Sequence, residues 1–170
     1  MSKLLRNFKI QLPQNQKKLV QFLKKFDTQY VKGLQNIIAV LETETWNEVD
    51  CLECANCCKV MTPTFTNEDI KRISSYVNMN ENEFTDKWLK VEKESKDVVN
   101  KIQPCQFLNL ETNKCTIYEV RPADCREFPH FKRKPFGDYN HVHEQNIEYC
   151  PATFKLIAKL KKRIEKDYEW

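Results

Sequence analysis

A chain of 170 residues with 41% hydrophobic content can build one modest core, and no apolar run approaches the ~20 residues of a membrane-spanning helix. Its 28 Lys and Arg against 24 Asp and Glu leave a net charge of +4, too mild to signal nucleic acid. Only Gly33 and Gly137 occur, so neither a GxGxxG dinucleotide turn nor a glycine-rich phosphate loop can be written, and a glycine-rich S-adenosylmethionine turn on a doubly wound sheet is excluded with them.

The opening MSKLLRNFKIQLP is basic without a continuous apolar stretch, so the chain is read as unexported and cytoplasmic. Leu19, Phe22, Leu23, Phe26, Tyr30, Leu34, Ile37, Ile38 and Leu41 recur at steps of three and four, which predicts one long amphipathic helix. Gly33 inside it costs about 1 kcal/mol against alanine. Residues 1–50 are therefore expected as an N-terminal helical extension packed on a domain of residues 51–170.

Trp46 to Asp50 leads into Cys51-Leu52-Glu53-Cys54-Ala55-Asn56-Cys57-Cys58, and Pro63 ends the local structure of that run. Thr66 with Asp69 resembles a capping arrangement ahead of a short helix buried through Ile70, Ile73 and Val77. Asn80 with Glu83 repeats the signal for a helix carrying Phe84, Trp88, Leu89 and Val91, and the polar stretch Glu92 to Asp97 breaks it.

From Val98 the pattern turns extended. Gln106-Phe107-Leu108 and Thr116-Ile117-Tyr118 read as strand pieces joined by a turn over 111–114, with Cys105 and Cys115 on paired chains. Pro122 and Pro129 bracket Cys125 in a compact or helical turn, and Lys132 to Lys134 form a loop. Cys150-Pro151 opens a terminal helix through Phe154, Ile157, Leu160 and Ile164, whose basic residues Lys155, Lys159, Lys161, Lys162, Arg163 and Lys166 read as a solvated face. The fold class expected is mostly α with a small β-hairpin, pinned by metal.

The chemistry lies in the cysteines. Four thiols in eight residues suit thiolates turned onto a soft ion or cluster, and eight thiols in a reducing compartment form a ligand set rather than a disulfide framework. Two tetrahedral zinc sites would use all eight. Alternatively, Cys51, Cys54 and Cys57 with Cys150-Pro151 follow the outline of an iron–sulfur ligand set. Because adjacent side chains point in different directions, Cys57-Cys58 argues for two centres or a polynuclear one, which leaves Cys58, Cys105, Cys115 and Cys125 as a second group.

His130 reads equally as a ligand or thiolate hydrogen-bond donor and as a partly exposed loop imidazole. His141 and His143 are expected to alternate on an extended, solvent-facing segment. Thiol–disulfide exchange through CxxC is disfavoured, because no strand-to-helix turn of a βαβ unit surrounds it.

The pieces CLECANCC, FTNEDIKRI, PCQFL, CTIYEVRPADCREFPH and CPA, in that order over 51–152, resemble the YkgJ-type cysteine-cluster proteins. The resemblance implies zinc or iron as cofactor, iron–sulfur included, in one or two centres. Cys54, Cys57, Cys58, Cys105, Cys115 and Cys125 are then the core ligands, and Cys51 and Cys150 complete the set. Arg121 and Arg126 match the family's RPxxCR and are read as structural pairing of turns. Metal ions are the implied partners, with room for a protein partner and none for a membrane. Flagellin lysine methylases contain a related cysteine-cluster segment, so the alternative reading is protein-lysine modification; the short length and missing glycine motif count against autonomous methyl transfer.

Overall fold

In the computed structural model, residues 2–167 are described, and they fall into two units: residues up to Cys54 together with those from Pro129 onward, and Ala55–Phe128. In chain order the elements are α1 (Lys3–Lys25), α2 (Leu34–Trp46), α3 (Cys51–Cys54), α4 (Asn56–Val60), α5 (Asn67–Tyr76), α6 (Glu81–Trp88), β1 (Leu89–Val91), β2 (Val98–Asn100), β3 (Leu108–Asn109), β4 (Lys114–Cys115), α7 (Ala123–Glu127), α8 (Asn140–Tyr149) and α9 (Pro151–Asp167). Single 3₁₀ turns cover Tyr118–Val120 and Phe136–Tyr139. The fold is mostly helical with two small antiparallel strand pairs. Among the described residues no helix is long and apolar enough to cross a membrane.

In the first unit, Ser2 caps α1 by accepting the Leu5 N–H at 3.3 Å, and Leu5, Phe8, Leu19, Phe22 and Leu23 bury one face. That face packs on α8 and α9, and α2 packs on α9. Phe8 meets Phe154 edge to face with ring centroids 5.5 Å apart. Lys155 and Lys159 of α9 bridge to Glu48, and Lys159 also reaches Glu44 at 3.2 Å. Part of the basic face is thus committed to carboxylates of its own unit.

The single long helix expected across Leu19 to Leu41 is in fact two. α1 starts earlier, running through Pro13, and stops at Lys25. Gly33 sits ahead of α2 with φ of 76°, a left-handed conformation that costs glycine nothing and any residue with a Cβ about 1 kcal/mol or more. Tyr30, counted in the apolar stripe, lies in the break and is 89% exposed.

The second unit is built on aromatic packing. Phe65, Ile70, Ile73, Phe84, Leu89, Phe107 and Ile117 form its core, with Phe84 and Phe107 stacked at 6.1 Å. Both predicted caps are present as reciprocal boxes, Thr66 with Asp69 and Asn80 with Glu83. The predicted hairpin is present in shorter form, with Leu108 opposite Cys115 and Asn109 opposite Lys114. A second hairpin was not expected. Leu89 and Val91, read as helix, leave α6 to pair as β1 with β2, Leu89 opposite Asn100, because β-branched Val98 and Val99 offer them a partner strand.

His141 and His143 lie on α8, so they do not alternate on an extended segment. His141 is exposed, whereas His143 is 0% exposed, stacked on Phe136 at 4.1 Å, and neither ring nitrogen has a hydrogen-bond partner. Burial, reinforced by His130, His141 and Arg133, pushes its pKa down to about 4 from an ordinary 6.5. A depressed imidazole stabilises the fold fully above pH 6.5 and loses that contribution as the pH falls through about 4, a loss of about 3 kcal/mol. Urea unfolding of the parent should show this slope between pH 7 and 4. His143→Leu should flatten it; a variant as steep as the parent would refute the assignment.

Candidate metal centre

The cysteine run is two short helical pieces separated by one left-handed residue. Asp50 starts α3, its carboxylate accepting the Leu52 N–H at 2.8 Å and its carbonyl accepting the Cys54 N–H at 3.1 Å. Ala55, at φ 44°, interrupts the helical path so that α4 begins afresh with Cys57 and Cys58 on it. A non-glycine residue held there marks a backbone fixed by its surroundings. None of the eight cysteines is paired in a disulfide; Cys51 is exposed, Cys54 and Cys150 are buried, and the remaining five are half-buried.

Four of the eight influence one another electrostatically within the second unit. The Cys105 N–H donates to the Cys58 carbonyl at 2.8 Å, which ties α4 to the segment before β3. Cys115 follows on β4, and Cys125 lies in α7, where Pro122 supplies a fixed φ before the first turn. A negative charge on Cys58 disfavours ionisation of Cys105, Cys115 and Cys125. Cys115 does the same to Cys105, and both Cys105 and Cys115 do it to Cys125. Every pair among the four is therefore within electrostatic reach.

Their ionisation is unequal. The Cys57 side chain hydrogen-bonds to Cys58, which overcomes burial and, with Lys59, brings Cys58 down to about 7. Burial raises Cys105 to about 11, Cys115 above its ordinary value, and Cys125 further still. One thiolate is accessible in this cluster, and the others are opposed by burial and by it. Such a set is costly to ionise without a cation and well suited to one.

Among the described residues, no three His, Cys, Asp or Glu side chains stand at metal-holding geometry. The four sulfurs share a field rather than an assembled tetrahedron. The donor chemistry nonetheless fits zinc or iron, and a buried amide points the same way. Asn100 is buried, and its Oδ1 accepts from Gln106 Nε2 at 2.9 Å. That leaves its Nδ2 buried without a hydrogen bond of normal geometry, yet near enough to Cys105 to favour its thiolate. An amide donor waiting on a sulfur is the partner a metal-bound thiolate takes.

The frame around the four thiols centres on a residue that sequence reading assigned only to a cap. Asp69 is 1% exposed. Its carboxylate accepts from Thr66 N–H at 3.1 Å, from Arg72 Nη2 at 2.5 Å and from Ala123 N–H at 3.0 Å. Arg72 in turn donates to the carbonyls of Val120 and Arg121. Asp69 and Arg72 thereby clasp the stretch between Cys115 and Cys125 onto α5. Asp124 adds a further bond, its Oδ2 accepting the Thr64 N–H at 3.1 Å. Arg121 donates to the Tyr118 carbonyl at 2.6 Å, and Arg126 to the Arg121 carbonyl at 3.4 Å, so both arginines hold the turn as expected.

In the first unit, Cys54 is close enough to Cys150 to oppose its ionisation, although burial is the larger cause. The Cys150 sulfur accepts the Thr153 N–H at 3.5 Å at the start of α9. Cys51 opens α3 at the surface. His130 is buried at φ 69°, so the exposed-loop reading of it does not hold.

A family model described as "Putative zinc- or iron-chelating domain", CxxCxxCC, matches residues 50–151, well over half the chain and a span that contains every cysteine. The uncharacterized protein MJ0661 of Methanocaldococcus jannaschii is similar, 34% identical over 84 residues that make up 47% of this chain and 43% of that protein. The chain thus spans less than half the length of that relative. No solved structure matches.

Proposed function

Since the chain belongs to the CxxCxxCC family, we propose that it chelates zinc or iron, with Cys58, Cys105, Cys115 and Cys125 as the principal ligand group. The observation that carries this reading is the mutual electrostatic reach of those four thiols. Bound zinc or iron supplies the positive charge that lets clustered thiols exist as thiolates. Cys58 is primed to ionise first, the Asn100 amide would donate to a Cys105 thiolate, and the Asp69–Arg72 clasp fixes the segment bearing Cys125. Four sulfurs fill a coordination sphere with no open position, so the centre is structural or stores or delivers metal. Cys51, Cys54, Cys57 and Cys150 are the remaining ligand candidates. The proximity of Cys54 to Cys150 supports a second group that includes them.

Sulfur donors suit zinc and iron alike, so preparation without oxygen followed by metal analysis and visible absorption decides between them. Stoichiometric zinc in colourless protein, or iron with charge-transfer absorption, supports chelation. Cys105→Ser and Cys125→Ser should each lower bound metal, leaving part of it if there are two centres. Full metal content in both variants would overturn the assignment of this group, and a single change that removed all metal would overturn two independent centres.

A further inference from the structure

A cavity of about 540 Å³ opens in the first unit between the end of α1 and the start of α8, within the size range of small-molecule sites. Lys24, Phe26 and Asp27 line it from one side and Asp138, Asn140 and Glu144 from the other. Three acidic side chains thus stand against Lys24 and the imidazole of His141 in a protein whose net charge is +4. Asn140 is 4% exposed. Its Nδ2 donates to the Leu23 carbonyl at 3.1 Å and to Asp27 Oδ1 at 2.8 Å. Both partners are acceptors, so the amide orientation is fixed and the remaining atom must be the oxygen. That Oδ1 is buried with no hydrogen-bond partner.

We propose that this cavity binds a primary alkylammonium group, which would donate to Asn140 Oδ1 and to two of the carboxylates of Asp27, Asp138 and Glu144, the third balancing its charge, while its alkyl stem lies along Phe26. An ammonium offers three donors and no acceptor, the complement of this wall. A metal ion is the poorer occupant, because among the described residues no three acidic, His or Cys side chains stand at metal-holding geometry. The C-terminal end of α1 favours a cation as well. The start of α8 opposes it with roughly half a positive charge, less than the two acidic side chains beside it. The occupant is either a free diamine or a lysyl side chain.

The test is titration of the metal-loaded full chain with 1,5-diaminopentane, followed by amide chemical shifts. Saturable shifts confined to the end of α1 and the start of α8 are expected, with a dissociation constant on the order of 1 mM or below. Changing exposed Asp138→Asn together with half-buried Glu144→Gln should weaken binding at least tenfold without changing the folded spectrum. Lys24→Ala should tighten it. Repeating the titration with a lysine residue blocked at both termini identifies the source by which probe binds tighter. The proposal is overturned if neither amine saturates, if 1-pentanol or pentanoate binds as well, or if the double variant binds like the parent.

Discussion

Asp69→Ala is expected to destabilise the protein by about 2–4 kcal/mol, because it removes a buried carboxylate that accepts two backbone N–H bonds and pairs with the half-exposed Arg72. The size follows from what is left behind. Thr66 N–H and Ala123 N–H lose their acceptor, and Arg72 keeps only the carbonyls of Val120 and Arg121. Each stranded donor costs about 1–3 kcal/mol where water cannot replace the bond. Asp69→Asn should fall between parent and alanine variant, because an amide keeps one acceptor and turns a donor toward another donor. A midpoint shift of roughly 10 °C is expected for the alanine variant. Its metal content should fall too, since the clasp holds the segment between Cys115 and Cys125. An alanine variant within about 1 kcal/mol of the parent would show that the clasp does not position that segment.

The same residue sets an acid limit separate from that of His143. Burial raises the Asp69 carboxyl, but the bonds from Thr66, Arg72 and Ala123 outweigh it and hold it below its ordinary 3.8. A depressed carboxyl stabilises the fold above its unfolded value and loses that contribution as the pH falls further. The His143 slope therefore lies between pH 6.5 and 4, and the Asp69 slope below about pH 4. Asp69→Asn should remove the second and leave the first.

What could be read from sequence was the chemistry that acts over a few residues. The Thr66–Asp69 and Asn80–Glu83 boxes satisfy their own helix starts, and the turn expected over 111–114 closes a hairpin one residue earlier, between Asn109 and Lys114. Cysteine spacing pointed to the CxxCxxCC family, whose model matches residues 50–151, because thiols so dense have few uses besides holding a soft metal. Features that depend on distant partners were misread. Leu89 and Val91 continue the apolar spacing of α6, and only pairing with Val98–Asn100 makes them a strand. His143 looks like any polar residue until Phe136 covers it. The helical spacing persists across residues 26–33 although the chain breaks there, because periodicity records which side would be buried, not whether the backbone stays helical. Asp69 reads as a local cap, and its bond to Ala123 belongs to the fold alone.

Removing the metal should loosen the second unit around its thiols well before α1 or α9 opens. α4, the segment before β3, β4 and α7 each carry one of Cys58, Cys105, Cys115 and Cys125, and a shared ion would cross-link these otherwise separate pieces. Without the cation, burial and mutual repulsion return the thiols to their protonated form, and the cross-links go with the charge. α1 and α9 rest instead on Leu5, Phe8, Phe22, Leu23, Phe154, Ile157 and Leu160, all buried apolar side chains in the first unit. After chelation, amide exchange should accelerate roughly 100-fold at Cys105, Thr116 and through Ala123–Glu127, the equivalent of about 3 kcal/mol of lost local stability. The aromatic core around Phe84 and Phe107 should limit the spread toward α5 and α6. Exchange in α3, which carries Cys51 and Cys54, separates the two arrangements: it accelerates if those thiols also hold metal and stays constant if the ion is confined to the second unit. Unchanged exchange throughout after complete metal removal, or α1 opening first, would mean that the thiols do not depend on a cation for their arrangement.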